Sequence, residues 1–208
     1  MNYRKIDMTH YARKQQFDYF NSMTYPYVGL TVNVDLTEWL RKIKQRKQPF
    51  FLSFLYAATR AANAISEFRQ RIVENAIIEY EKCIPSYTVA LEDHSYCYCT
   101  VDCDMPYDDF VPYALKAQEQ AMKQASLDEG EDALALFFIT TLTNTTYTAI
   151  VQPVPQPADS NPRITWGQYF EQEGRTLMPV TLLCNHALMD GYQLGQFYEN
   201  LKKELQAF

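Results

Sequence analysis

The chain lacks a long apolar run. Its longest, Phe50 to Ala58, is interrupted by Ser53 and falls far short of the roughly 20 residues a membrane span needs. The opening residues, Met1-Asn2-Tyr3-Arg4-Lys5-Ile6-Asp7, carry no apolar segment of the secretory kind, so no membrane partner and a cytoplasmic location are expected. Positive charge is in short supply too: 19 basic against 25 acidic residues leave a net charge of -6, with no basic stripe to neutralise a phosphate backbone. Nucleic acid is thereby disfavoured as a partner. The five cysteines, at positions 83, 97, 99, 103 and 184, are too odd a number for a disulfide framework, and a reducing compartment keeps them as thiols. His94, Cys97, Cys99 and Cys103 cluster, but no second Cys or His pair stands at zinc spacing, and Tyr96-Cys97-Tyr98-Cys99-Thr100 alternates like a strand with thiols on one face. No metal is expected. Repeats, low-complexity tracts and interdomain linkers are missing as well, which predicts one domain over residues 1–208, long enough to bury about 70% of its unfolded surface.

What is present is a regular alternation of patterns. Residues 10–21 carry Tyr11, Phe17 and Phe20 among charges after Thr9, which predicts a helix with Thr9 as its cap. Val28, Leu30, Val32 and Val34 alternate with smaller or polar residues, as in a strand. Thr37 opens a short basic helix through Lys47, and Pro49 begins a more apolar, buried helix through Ile65. Strands are predicted at 77–80, 86–91 and 96–102, then a long helix after Pro106 from Tyr107 to Ala125. Further strands are predicted at 134–142, 147–152, 163–170 and 176–185. Between them Pro153, Pro155, Pro157 and Pro162 mark a loop. Leu194, Phe197, Tyr198, Leu201 and Leu205 form one face of a last helix. The sum is an α/β fold, a mixed sheet covered by helices, with 16 tyrosines and 12 phenylalanines for core packing or a ring-lined pocket.

Histidine is scarce, and that gives weight to Asn185-His186-Ala187-Leu188-Met189-Asp190-Gly191. With three histidines and six glycines in the chain, a histidine followed four residues later by Asp-Gly arises by chance in about one such chain in 200. The segment offers a base; read alone, it is equally a histidine at a strand end followed by an Asp-Gly turn.

Other stretches weigh on that choice. Met1-Asn2-Tyr3-x-Lys5-x-Asp7, Tyr11-Ala12-Arg13, Phe17-Asp18-Tyr19-Phe20, Gln172-Glu173-Gly174 and Pro179 through Gly191 occur in the order and at nearly the spacing of the chloramphenicol acetyltransferase family. The chain resembles that family over essentially its whole length. The resemblance implies a CoA-dependent acyltransferase fold, acetyl-CoA as co-substrate, a small-molecule hydroxyl acceptor, and a homotrimer with active sites at subunit interfaces. It also implies roles. His186 matches the second histidine of the family's HHxxxDG motif, the base. Asp190 matches the motif aspartate, which the family pairs with the arginine that Arg13 matches. Thr140 falls where the family usually has a serine that stabilises the oxyanion. Thr165 matches a threonine near the reacting centre, and Tyr169 a tyrosine near the coenzyme's adenine. Tyr19 and Phe20 match aromatic positions beside the antibiotic, and Tyr98 lies near a pocket position that is small in better-known members.

The chemistry implied is direct acetyl transfer. A hydroxyl is almost wholly neutral at pH 7, so its attack on a thioester needs a base to take the proton as the bond forms, and a neutral imidazole suits the task. A donor aimed at the developing oxyanion is worth about 3 kcal/mol of barrier. Several residues depart from the family pattern. Asn185 replaces the first histidine, Thr143-Asn144 stands where Pro-Trp is common, and Phe20 lacks a hydroxyl often present there. These bear on acceptor choice. An O-acetyltransferase linked to antibiotic resistance is the leading expectation. The alternatives are an acetyltransferase for another hydroxyl compound, an inactive trimeric binding homologue, and the acyltransferase core of a 2-oxo acid dehydrogenase complex, the last disfavoured by the lack of a lipoyl domain and linker.

Overall fold

The computed structural model describes residues 1–128, 130 and 132–208. Strand β1 (Tyr3–Lys5) precedes α1 (Lys14–Asn21), β2 (Tyr27–Asp35), α2 (Thr37–Gln45) and α3 (Phe50–Asn63). Two hairpins follow, β3 (Gln70–Val73) with β4 (Ala76–Tyr80), and β5 (Ile84–Ala90) with β6 (Tyr96–Thr100). Helix α4 (Tyr107–Gln124) leads to β7 (Leu136–Thr141), β8 (Arg163–Trp166), β9 (Phe170–Gln172), β10 (Arg175–Asn185) and α5 (Gly191–Gln206). The main sheet runs β2-β10-β8-β7-β5-β6, and β9 pairs with the start of β10. It is mixed: β7 lies parallel to both β5 and β8, and the other pairs are antiparallel. Strands β1, β4 and β3 form a smaller antiparallel sheet.

The strand period sorts the two faces of the main sheet. One registered row, Leu182, Ile164, Ile139, Tyr87 and Cys99, faces the core beneath the helices. Helix α3 packs against α5 there, its Leu55, Ala58, Ala61 and Ala62 fully buried, and Phe68 stacks on Phe197 at 5.6 Å. The adjacent row, on the opposite face, reads Thr31, Thr181, Thr165 and Thr140 across four strands. Thr31 and Thr181 hydroxyls bond at 2.7 Å. The segment after β7 lies over this hydroxyl face: Tyr147 donates to the Thr165 carbonyl at 3.0 Å and accepts from the Thr181 hydroxyl at 3.1 Å. Gln152 donates to the Thr165 hydroxyl.

Those bonds explain why 147–152 is not the strand its sequence predicts. Both edges of β8 are already taken, by β7 and β10, so the segment satisfies its polar groups through side chains on a face. The predicted strand at 163–170 divides at Gly167, where the Gly167 amide donates to Pro179 O and the Gln168 amide to Thr145 O, before β9 resumes pairing along β10. Thr9 does not cap a helix. Its amide and hydroxyl both bond Asp7 Oδ1, and α1 begins at Lys14 with Arg13 in the cap position. Neither β1 nor β3 is among the strands the sequence predicts. Among the described residues no helix is long and apolar enough to cross a membrane.

Candidate active site

Strand β10 carries the histidine segment out of the sheet. Its last residue, Asn185, pairs with Tyr27, and the next amide, that of His186, donates to Pro26 O at 2.7 Å. The Asn185 carbonyl accepts from the amides of Leu188 and Met189, closing a tight turn, while Ala187, Leu188 and Met189 are wholly buried. Three apolar side chains thus anchor the turn, and His186 is left half-buried at its edge. Its Nδ1 lies 3.0 Å from Met189 O. A carbonyl can only accept, so in the neutral ring Nδ1 holds the proton and Nε2 presents the lone pair. Phe20 stacks on the imidazole, centroids 3.7 Å apart and planes 17° from parallel. Tyr19 sets its edge against Phe20 at 5.0 Å and is itself 63% exposed.

Asp190 belongs to the helix that follows. As the cap of α5 it accepts from the Tyr192 amide at 2.9 Å, while Gln193 Oε1 accepts from the Asp190 amide at 3.0 Å. Its other oxygen accepts from Arg13 Nη1 at 2.7 Å, joining the start of α1 to the start of α5. The carboxylate therefore bonds a guanidinium and a helix N-terminus, not the imidazole; Arg13 first and the Tyr192 amide second hold its pKa below the usual carboxylate range. Cys184, one residue before Asn185, faces the core, where burial pushes its thiol up to about 12 and leaves no thiolate at neutral pH.

Thr140 is elsewhere. It is exposed near the end of β7 and lines a cleft of about 500 Å³ with Tyr96, Tyr98, Phe138, Gln152 and Arg163. Tyr98 is half-buried on β6, its ring 6.0 Å from that of Tyr96. Arg163 is clamped there by Asp159 through two bonds of 2.9 and 2.8 Å. Thr140 is level with Thr181 on β10, so His186 stands about 17 Å further along β10 and two strands, about 10 Å, to the side. One chain does not bring the two residues to a common atom. Thr165 adjoins Thr140 in register but is fully buried, its hydroxyl engaged by Gln152. Tyr169 lies beyond Gly167, 38% exposed, its ring 5.6 Å from that of Phe50 and with Lys44 Nζ 5.9 Å from its centroid.

Several of these partners have no signal in the sequence. Met189 acts through its carbonyl, Asp159 lies in the proline-rich loop, and Tyr147 and Gln152 bound a segment whose pattern predicts a strand. Gly167 does carry a hint, as an isolated glycine inside a strand pattern: a Cβ there would stand 2.9 Å from Thr145 O and from the Tyr147 ring.

Comparison with known proteins gives the class, an acyltransferase. A family model described as chloramphenicol acetyltransferase matches residues 1–202. The Escherichia coli chloramphenicol acetyltransferase is 24% identical over 205 residues, covering 97% of this chain and 93% of the relative. A chloramphenicol acetyltransferase of known structure superposes with a TM-score of 0.84 at 23% identity, over 98% of this chain and 100% of the other. The truncated catalytic core of a 2-oxoacid dehydrogenase complex from Thermoplasma acidophilum shares the fold, with a TM-score of 0.66 at 19% identity over 98% of each chain. The chain belongs to the chloramphenicol acetyltransferase family.

Proposed function

We propose that the protein transfers the acetyl group of acetyl-CoA to a hydroxyl of a small molecule, with chloramphenicol the first acceptor to try. One observation carries the reading: His186 Nδ1 lies 3.0 Å from Met189 O, which can only accept, so in the neutral ring Nδ1 donates and Nε2 keeps the lone pair. Nε2 takes the acceptor's hydroxyl proton as that oxygen attacks the thioester carbonyl. The carbonyl becomes a tetrahedral oxyanion, to which the Thr140 hydroxyl donates. Collapse breaks the carbon–sulfur bond, and the imidazolium returns its proton to the departing thiolate. The stacked Phe20 ring holds the imidazole plane, and Arg13 with Asp190 holds the turn.

His186 and Thr140 lie too far apart in one chain to serve one carbonyl. The reaction as written therefore needs them from two copies, which supports an oligomer with sites at its interfaces, a homotrimer by the family resemblance. Tyr169, with Lys44 beside it, suits the nucleotide end of the coenzyme, and Thr165 would meet the coenzyme through or in place of Gln152. Tyr19, Phe20 and Tyr98 face the acceptor side; the tyrosine-rich cleft around Thr140 favours a second reading, in which the acceptor is a hydroxyl compound other than the antibiotic. No metal takes part, and the five unpaired buried thiols suit the cytoplasm.

The test mixes protein, acetyl-CoA and chloramphenicol, alongside other hydroxyl compounds, and follows free thiol. Acceptor-dependent thiol release is expected, falling about 10²- to 10⁴-fold in His186→Ala. Release that His186→Ala leaves unchanged, with a confirmed acceptor, removes His186 as the base; no release with any acceptor favours a binding protein.

A further inference from the structure

The proton-moving reading of His186 leaves unexplained how its backbone is held, since it follows the last residue of a strand. Asn185 stands at that end, 2% exposed, and both ends of its amide are engaged. Its Nδ2 donates to Asp159 O at 2.9 Å, and its Oδ1 accepts from the Ala187 amide at 3.0 Å. The first bond reaches 26 residues back to a segment fixed by its own partners. Asp159 is gripped by Arg163 through both carboxylate oxygens. Its Oδ1 also accepts from the Tyr27 hydroxyl at 2.8 Å, and that hydroxyl in turn accepts from the Asp159 amide at 2.9 Å. Tyr27 follows Pro26, whose carbonyl takes the His186 amide. The path closes on itself: Asn185, Asp159, Tyr27, Pro26, His186 and back to Asn185 through the peptide bond.

We propose that Asn185 is a positioning residue for His186, its buried side-chain amide bridging the Asp159 carbonyl and the Ala187 amide to lock the catalytic turn in register with the start of β2. The proposal rests on the acetyl-transfer reading above. Its chemistry is specific to an amide. A side chain here must donate to a carbonyl on one side and accept from an N–H on the other, and Asn does so from two separate atoms without titrating, where a Ser or Thr hydroxyl has one. Asp keeps the acceptor but sets a carboxylate or a rotated hydroxyl against Asp159 O. Ala removes both bonds and leaves the Asp159 carbonyl and the buried Ala187 amide without this partner. Histidine, which the family carries at this place, offers its two nitrogens on one rigid ring.

The consequence for His186 is geometric. If the turn shifts, the Met189 carbonyl no longer faces Nδ1, and the ring reverts to a mixture of tautomers in which Nε2 carries the proton part of the time. Displacement of about 1 Å at a reacting group costs up to about 10²-fold in rate.

The test combines kinetics with imidazole nitrogen NMR on Asn185→Asp, Asn185→Ala and Asn185→His. The chain has three histidines, so the spectrum is sparse and His186→Ala assigns the relevant ring. The parent protein is expected to show a single tautomer at pH 8, with Nε2 unprotonated. In Asn185→Asp and Asn185→Ala the tautomers mix, and kcat falls about 10- to 100-fold while KM for both substrates stays within about twofold. Asn185→His, the variant safest for folding, falls between. A merely structural asparagine would lower the melting temperature and leave both kcat and the tautomer unchanged in the folded protein; that result overturns the proposal. Kinetic failure of the underlying reading is separable: if His186→Ala stays active, the base assignment falls, and the tautomer alone then decides whether Asn185 positions the ring.

Discussion

Arg13 and Asp190 are 177 residues apart in sequence and 2.7 Å apart in space. The pair is half-exposed, with side-chain exposures of 19% and 36%, so its worth is that of a partly screened ion pair, about 1 kcal/mol, and not that of a buried one. Its pH dependence has a definite sign. The Asp190 carboxyl is held below its ordinary range by Arg13 first, so the stabilisation is complete above about pH 4, where the unfolded carboxyl ionises, and is lost as pH falls through the lower folded value. Arg13→Ala is expected to lower the urea midpoint at pH 7 and to differ much less from the parent at pH 3. Equal gaps at both pH values would show that the pair is not the source. The His186 imidazole bonds Met189 O and not Asp190, and it meets the carboxylate through the turn and through its charge.

Between residue and molecule lies the segment after β7, which covers the hydroxyl face of the sheet. Tyr147 can lie across β8 because Gly167 has no side chain, and Thr145 O, the atom a Cβ would strike, is held by the Gln168 amide at 2.8 Å. Gly167→Ala is thus an overpacking change beside a backbone atom with little room to retreat, expected to cost about 1–3 kcal/mol. Thermal unfolding measures the cost. If the displaced Tyr147 carries most of it, combining Gly167→Ala with Tyr147→Ala costs less than the two single losses added, whereas strict additivity would place the strain elsewhere. Gln152 and Tyr147 both bond Thr165, so the same pair of variants, through the KM for acetyl-CoA, tests the proposal that Thr165 meets the coenzyme.

At the scale of the whole molecule, the proposed reaction divides its two groups between copies of the chain. The His186 turn lies at the end of β10 and Thr140 opens into a cleft two strands away. Mixing decides whether they work together across copies. His186→Ala and Thr140→Ala are each expected to be nearly inactive alone. Co-expressed and randomly assembled, they should recover about a quarter of the parental activity, because one interface in four then joins an intact histidine to an intact threonine. If both residues served the same site from one chain, every site in the mixture would lack one of them and no activity would return.

Much of this was legible from residue order alone. The alternation at Val28 to Val34, the apolar helix after Pro49 and the periodic face Leu194 to Leu205 announce β2, α3 and α5, because burying a face imposes the period of the element that carries it. Asn185 through Gly191, with the stretches around Arg13 and Phe20, carries the family and the candidate base. Local pattern says nothing of partners reached through backbone carbonyls, so Met189 O on His186 and Asp159 O on Asn185 were invisible. It also misread 147–152, where β propensity met a sheet with no vacant edge beside β8. The amino-acid order determined the elements, the class and the histidine, since these follow from periodicity and residue type. Only the tertiary structure decided which nitrogen of His186 is free, what Asn185 holds, and that Thr140 lies out of its reach, because each depends on atoms brought together from distant parts of the chain.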